Sequence, residues 1–237
     1  NVLNYFRVTA VNANGMSGFS NEEIAVPSVT PGNALALDGT FGMRAEASVV
    51  NIANQSFTIE FWAKRNSINS DHMIIGQGID AVGQGLHIGF RNTNGFAFAF
   101  WGNDLDISTP FTDNNWHHWA CTYDATTNER IVYRDGSNVG SDFASGDYTG
   151  TGNFLIGTNW DGSGSYFDGE IDEVRIWNSV LTPAQIDAGR TVVVRGDEAG
   201  LIRAYHFDEP TGHTAAYDAT VNDLNANLVN GATTIPS

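Results

Sequence analysis

The chain is poor in cysteine and in basic residues. Its single cysteine, Cys121, excludes an intramolecular disulfide, so stability has to come from a large core or from a bound metal. Only 11 lysines and arginines stand against 27 aspartates and glutamates, which gives a formal net charge of −16. Binding to phosphate groups needs concentrated lysine and arginine, so neither nucleic acids nor anionic membrane surfaces are expected as partners.

Other signatures are missing as well. No apolar run is long enough to span a bilayer. No Gly-x-Ser-x-Gly elbow, His-Glu-x-x-His helix or phosphate-binding loop occurs. No signal peptide is visible, and the sequence starts in the middle of a strand pattern, so we expect the natural N-terminus to lie upstream. The residues in excess are carboxylates, which suit the capture of a hard cation such as calcium.

Strand patterns dominate the sequence, in which 41% of the residues are apolar. Residues 57–64 alternate strictly between two faces, and residues 96–101 place Phe96, Phe98 and Phe100 on one side. Further strands are predicted at 34–37, 86–90, 117–123, 130–134, 154–158, 171–177 and 201–207. Many short strands separated by turn residues predict an all-β fold, an antiparallel sandwich or jelly roll of two sheets.

One helix is indicated. Thr182 can cap it, Pro183 suits its first position, and residues 184–186 continue it. We expect a single short helix on the rim of the sandwich.

The first 27 residues differ from the rest. Residues 5–12 alternate as a strand, Asn14 and Gly15 form a turn signal, and residues 24–26 suit a second strand. This hairpin resembles the C-terminal hairpin of a fibronectin type III domain, and two strands cannot form a core of their own. The predicted organisation is a fibronectin-like remnant (1–27), a linker (28–33) and a main domain (34–237).

Four motifs of the main domain carry a family resemblance. They are ALALDG at 34–39, FTIEFW at 57–62, WHHWACTYD at 116–124 and FDGEIDEVRIWN at 167–178. In this order they resemble the laminin-G-like (concanavalin A-like lectin/glucanase) superfamily over residues 34–232. The resemblance implies a jelly roll, but this fold serves lectins, adhesion modules and enzymes alike.

The strongest indication of catalysis lies in the last of these motifs. Glu170 and Asp172 resemble the start of the catalytic strand of laminarinase-type hydrolases, which share the fold and need two glutamates on one face. Val174 and Arg175 stand where the second glutamate should fall. We therefore predict a protein that is not an enzyme.

The family resemblance also implies a structural calcium ion at the rim or on the outer face of the sandwich. The matching positions are Asp38 with the carbonyl of Gly39, and Asp172 on the late strand, with Asp168 as a further candidate. Oxygen ligands of this kind are what a hard cation requires. The alternative is that Asp38 and Asp168 only form turns and that Asp172 makes a rim hydrogen bond.

Two tryptophans suggest a binding surface. If the phenylalanines of 96–100 face the core, then Ala97, Ala99 and Trp101 face outward and leave a shallow floor beside an aromatic wall, on which sugar rings can stack. Trp160 lies in a glycine-rich loop that gives it no role in the core. The predicted ligand-binding residues are Trp101 and Trp160 with the polar residues His87, Arg91, Asn103, Asp104, Asn159 and Asp161. The alternative is that Trp101 closes the sandwich edge and Trp160 covers the rim.

Two functions follow from these observations. The first is a carbohydrate-binding module that takes a polysaccharide or glycan, within a secreted, multimodular bacterial protein whose neighbouring modules are partners on the same chain. The second is a cell-surface adhesin or spacer domain that makes protein contacts and is stiffened by calcium. Both place the protein outside the cell or on its surface.

Overall fold

The computed structural model describes residues 32–40 and 42–237, and before them four short strands by their backbone only. These are β1 (Asn4–Phe6), β2 (Val11–Asn12), β3 (Gly15–Met16) and β4 (Glu23–Ala25). β1 pairs antiparallel with β4, and β2 with β3. The predicted fibronectin-like remnant (1–27) and residues 28–31 of the predicted linker otherwise fall outside the described residues.

Sixteen strands and one helix follow in the main domain. They are β5 (Asn33–Asp38), β6 (Arg44–Val49), β7 (Phe57–Arg65), β8 (His72–Gly78), β9 (Gly85–Phe90), β10 (Phe96–Ala99), β11 (Asp104–Ile107), β12 (His117–Asp124), β13 (Glu129–Arg134), β14 (Ser137–Phe143), β15 (Asn153–Ile156), β16 (Asp168–Trp177), α1 (Pro183–Gly189), β17 (Leu201–Tyr205), β18 (Ala215–Ala216), β19 (Ala226–Val229) and β20 (Thr233–Pro236). None of the described helices is long and apolar enough to cross a membrane.

Two sheets form the sandwich, which confirms the predicted fold. The first sheet runs β11-β10-β9-β8-β15-β6-β19-β18, and the second runs β14-β13-β12-β7-β16-β5-β20. β17 pairs with the second half of β16, beyond the end of β5. The strand pairs within the sheets are antiparallel, as the short strands and tight turns predict.

The core lies between the sheets and follows the predicted alternation. Phe57, Ile59 and Phe61 of β7 are fully buried. Phe96 and Phe98 of β10 are fully buried as well. Burying such a side chain contributes about 1.5–3 kcal/mol. Cys121 is buried in the same core and is free.

A chain segment with α1 covers part of the outer face of the second sheet. Thr182 caps the helix in a capping box with Gln185, as predicted for Thr182, and Pro183 occupies the first turn. Leu181 and Ile186 pack there in a second apolar cluster. The helix is thus held by its cap and by burial of one apolar side.

Charged residues are buried beneath this segment. Glu60 of β7 lies 3.3 Å from His118 Nε2 and 3.6 Å from Arg175 Nη1. Arg175 also donates to the carbonyls of Gly189 (2.9 Å) and Val192 (2.6 Å). Its other ion pair is with Glu173, which bonds His206 in turn. We call Glu60, His118, Glu173, Arg175 and His206 the buried charge network.

Candidate functional site

Trp101 lies on the outer face of the first sheet, at the end of β10. It follows the inward-facing Phe100 and has a left-handed backbone, with φ of 52°. Its carbonyl accepts a hydrogen bond from the backbone N–H of Gly83, 3.1 Å away, in the β8–β9 hairpin. The hairpin therefore holds the indole ring at one end of the sheet.

Trp160 reaches the same place from a different loop. Within that loop Thr158 Oγ1 donates to the carbonyl of Gly164 (2.9 Å), and Asn159 Oδ1 accepts from the N–H of Ser163 (3.1 Å). The ring centroids of Trp101 and Trp160 lie 4.4 Å apart at an angle of 54°. The two tryptophans predicted as ligand contacts are thus brought together, and both stay partly exposed.

Two glycines make room for this pair. A Cβ on Gly85 would lie 3.1 Å from Trp101 Cβ and 3.3 Å from Trp160 Cδ2. A Cβ on Gly76 would lie 2.3 Å from the backbone of Asn159. The sequence analysis missed these two positions of the candidate site, although an isolated glycine in a strand signals the close approach of another segment.

The hairpin tip extends the aromatic surface. Val82 is 71% exposed, and its Cγ2 would lie 3.2 Å from a Cβ on Gly102, the residue after Trp101. We call Trp101 and Trp160, together with the apolar side chain of Val82, the aromatic platform. It offers partly exposed apolar surface on two rings tilted by 54° to each other, and sugar rings can stack on an exposed aromatic face.

His87 supports the platform from beneath. Its ring centroid lies 4.9 Å from that of Trp160 and 6.2 Å from that of Trp101, and the side chain is buried. Nδ1 lies 2.9 Å from the carbonyl of Gly85, and Nε2 lies 3.3 Å from Arg91 Nη2. A carbonyl needs a donor and a guanidinium needs an acceptor, so His87 is a neutral ring that carries its proton on Nδ1. Burial also lowers the pKa of His87.

Arg91 crosses the outer face of β10. It donates from Nε to Asp106 Oδ1 (2.7 Å) and from Nη2 to Asp104 Oδ2 (3.2 Å), both on β11.

The open floor that we expected at Ala97 and Ala99 is a wrong prediction, since both alanines are fully buried. They pair with residues of β9 and β11, so an arginine that spans those strands lies over them.

The remaining predicted ligand residues are engaged within the protein. Asn103 is buried, donates to the carbonyl of Gly146 (3.2 Å) and accepts from the N–H of Ser145 (3.0 Å). Asn159 is buried in its own loop. Asp161 is exposed next to Trp160, and its Oδ1 accepts from Ser163.

The predicted metal ligands divide into two groups. Asp38 and Asp168 are register partners on β5 and β16, at one end of a cleft of about 320 Å³ on the second sheet. Gly39 adjoins them, and its N–H donates to the carbonyl of Phe167 (3.1 Å). Asp172 lies four residues further along β16, about 13 Å away at strand spacing. Within residues 32–40 and 42–237 no three acidic, histidine or cysteine side chains converge as a metal site.

The carboxylates of β16 that resemble a catalytic motif make hydrogen bonds within the protein. Glu170 accepts two hydrogen bonds from Lys64 Nζ, at 3.1 and 3.2 Å. Asp172 accepts from the backbone N–H of Glu173 (2.8 Å), and burial, reinforced by the charge of Glu173, raises its pKa to about 8. Glu173 has a φ of 50° at a bulge of β16, which turns it toward Arg175 and His206.

Comparison with known proteins agrees with this architecture. A laminin-G family model, described as the concanavalin A-like lectin/glucanases superfamily, matches residues 38–187. The sequence has no match among curated proteins.

Several solved structures share the fold. A candidate carbohydrate-binding protein from Bacteroides ovatus is 22% identical with a TM-score of 0.68, over 94% of this chain and 66% of that one. The CBM40 of the Ruminococcus gnavus IT-sialidase is 15% identical with a TM-score of 0.53, over 66% and 95%. Domain 4 of an extracellular arabinanase from Geobacillus stearothermophilus, solved with arabinotriose, is 18% identical with a TM-score of 0.50, over 77% and 80%.

Proposed function

The chain belongs to the concanavalin A-like lectin/glucanases superfamily, and we propose that it is a non-catalytic module that binds a polysaccharide on its aromatic platform. The observation that carries this proposal is the pairing of Trp101 with Trp160, 4.4 Å apart, on the outer face of the first sheet. Two separate loops supply the rings, and glycines beneath them make the space. Core packing alone does not explain this arrangement, because both tryptophans stay partly exposed, although Nε1 of Trp160 is buried.

The surroundings of the platform suit sugar hydroxyls. Asp104, Asp106 and Asp161 are exposed beside it, and carboxylates accept hydrogen bonds from hydroxyl groups. A partly exposed surface with polar groups at its margin fits an extended chain better than an enclosed small molecule. The names of the Bacteroides ovatus, Ruminococcus gnavus and Geobacillus stearothermophilus structures, which refer to carbohydrate binding or contain a bound sugar, support the same class of ligand.

The engagement of the acidic strand supports the absence of catalysis. A retaining glycosidase needs two free carboxyl groups about 5–5.5 Å apart, one of them a nucleophile. Here Glu170 is held by Lys64, and Glu173 is held by Arg175 and His206. Both glutamates are thus engaged in ion pairs. Incubation with β-glucans and sulfated galactans, with assay of released reducing ends, tests this part of the proposal.

We further propose calcium as a stabilising ion at Asp38 and Asp168. Asp38 Oδ1 accepts from Thr40, and Asp168 Oδ2 accepts from Ser67. Asp38 Oδ2 and Asp168 Oδ1 have no hydrogen-bond partner within the described part of the chain. Two carboxylate oxygens, the Gly39 carbonyl and waters would make up the six to eight oxygens that calcium takes. Asp172 is too far along β16 to share this ion.

This function implies action outside the cell, where polysaccharides are met. The decisive experiment is a glycan-array screen with and without chelator, followed by affinity measurements on Trp101→Ala and Trp160→Ala. We expect each variant to bind at least tenfold more weakly, which corresponds to about 1.4 kcal/mol. We expect chelator to lower the melting temperature.

Phe143→Ala is the matched control, since Phe143 is a 70% exposed aromatic residue at the outer edge of the second sheet. It should bind like the wild type. Unchanged affinity in both tryptophan variants, with native melting temperatures, would remove the platform as the binding site.

A further inference from the structure

Arg91, the cation beside the aromatic platform, is neutralised by two aspartates. Arg91 is paired with Asp106 at 2.7 Å and with Asp104 at 3.2 Å. His87, its third neighbour, is a neutral ring that accepts from the guanidinium group. One positive charge therefore faces two negative ones. Two further exposed carboxylates, Asp80 in the hairpin tip and Asp161 beside Trp160, add to the negative side.

The rest of the described surface offers little positive charge. Side chains within salt-bridge distance of a carboxylate are Arg44, Lys64, Arg91, Arg130, Arg134, Arg175, Arg190 and Arg203. Arg65 is buried under Phe90. Arg195 is the one exposed cation without a carboxylate partner among the residues that the structure describes. With a net charge of −16, the described surface therefore offers an anionic ligand little unpaired positive charge.

We propose that the aromatic platform takes uncharged polysaccharides and rejects glycans that carry sulfate or carboxylate groups. This inference rests on the proposed function and names its ligand class. A sugar hydroxyl can donate a hydrogen bond to Asp104, Asp106 or Asp161, whereas an ionised sulfate or carboxylate only accepts. A sulfate or carboxylate group placed beside these aspartates could not donate to them and would be repelled by their charge.

The range of this repulsion decides how it is measured. Salt screens exposed charges beyond about 8 Å at 0.15 M. Asp104 Oδ2 lies 3.9 Å from Nε2 of His87, whose ring contacts both tryptophans, whereas the charge of the remote surface is screened. Rejection of anionic glycans should therefore depend mainly on the charges of Asp104 and Asp106, and only in part on the net charge of the whole protein.

The test compares matched polymers. The probes are cellulose, β-1,3-glucan, xylan, arabinan and galactan, each beside its sulfated or carboxymethylated derivative, at about 0.01 M and 0.5 M salt. We expect the derivative to bind at least tenfold more weakly than its parent at low salt, with a smaller gap at high salt. In Asp104→Asn/Asp106→Asn, which frees Arg91, the gap should close or reverse.

Asp187→Asn/Asp223→Asn is the control, because it removes the same charge at two exposed residues distant from the platform, in α1 and in the turn before β19. It should keep the gap. Equal or tighter binding of the derivatives, lost in Trp160→Ala, would overturn this inference and leave the platform intact. Absence of binding to every parent and derivative would overturn the proposed function and this inference with it.

Discussion

The outer face of the first sheet has glycines at the platform, Gly76 and Gly85, and tryptophans from two loops lie over them. The outer face of the second sheet carries Glu60 and Arg175, and the segment with α1 lies over those. The charged side chains Glu60 and Arg175 are therefore buried, whereas the apolar rings of Trp101 and Trp160 belong to residues that stay partly exposed. The segment that lies over a strand decides how exposed its side chains are, and the polarity of those side chains does not.

The two faces also differ in what holds them together. The platform depends on ring contacts, each about 0.5–1.5 kcal/mol, so it can be altered without unfolding the domain. The buried charge network depends on ion pairs out of water, where the loss of one partner leaves the other charge uncompensated. Variants of the second sheet should therefore change stability, and variants of the first should change binding.

The largest effect is expected from Arg175→Met. This change removes the arginine from Glu60 and Glu173, which keep only His118 and His206 as ion-pair partners, and the carbonyls of Gly189 and Val192 lose a donor. The free energy of unfolding should fall by about 3–5 kcal/mol, as for other broken buried pairs. Urea unfolding measures the loss, while affinity for the polysaccharide should stay within about twofold of the wild type.

Arg190→Met is the control, because its ion pair with Asp187 is exposed and lies on the helix surface. Pairs of this kind contribute up to about 1 kcal/mol. Equal losses in the two variants would mean that the buried charge network does not hold the second sheet's cover in place.

A smaller effect is expected from pH, through Asp172. Burial and Glu173 raise its pKa to about 8 in the folded protein, from 3.8. The folded state then binds more protons than the unfolded state between these values, so stability falls as pH rises toward 8, by on the order of 1 kcal/mol per pH unit. Burial lowers the pKa of His206, but its hydrogen bond and ion pair with Glu173 outweigh burial and raise the pKa overall. Its contribution to stability therefore has the same sign: it is present at low pH and is lost on deprotonation.

Melting temperatures between pH 6 and 9 measure this dependence. In Asp172→Asn the slope should be reduced, with the remainder due to His206. Asp187→Asn, an exposed aspartate on α1, should keep the slope of the wild type. An unchanged slope in Asp172→Asn would show that this carboxyl group is ionised at neutral pH.

The sequence was informative where local pattern decides structure. The inward side of β10, with Phe96 and Phe98, follows from period-two alternation, and the start of α1 follows from Thr182 and Pro183. β14 was not predicted. It is an edge strand with mostly exposed side chains, and no buried face imposes alternation on it.

The candidate site was only partly predictable for a similar reason. Trp101 and Trp160 stand out in the sequence because neither belongs to a core pattern, but their contact depends on the pairing of distant strands. The course of Arg91 over Ala97 is likewise set by partners on β11, so the open floor could not be ruled out from local pattern. The glycines of β8 and β9 were the available signal for a second layer of chain at this place.

The most local effect, and the sharpest for the platform, is expected from Gly76→Ala. The new methyl group would lie 2.3 Å from the backbone of Asn159, so the Trp160 loop must shift. Overpacking of this kind costs about 1–3 kcal/mol, and polysaccharide affinity should fall about tenfold because Trp160 leaves its place beside Trp101. Gly146→Ala, where a Cβ has no neighbour within 4 Å, should change neither quantity. Isothermal titration measures the affinity, and indole fluorescence reports the Trp160 environment. If fluorescence changes and affinity does not, Trp160 covers the rim without touching the ligand, and binding rests on Trp101 alone.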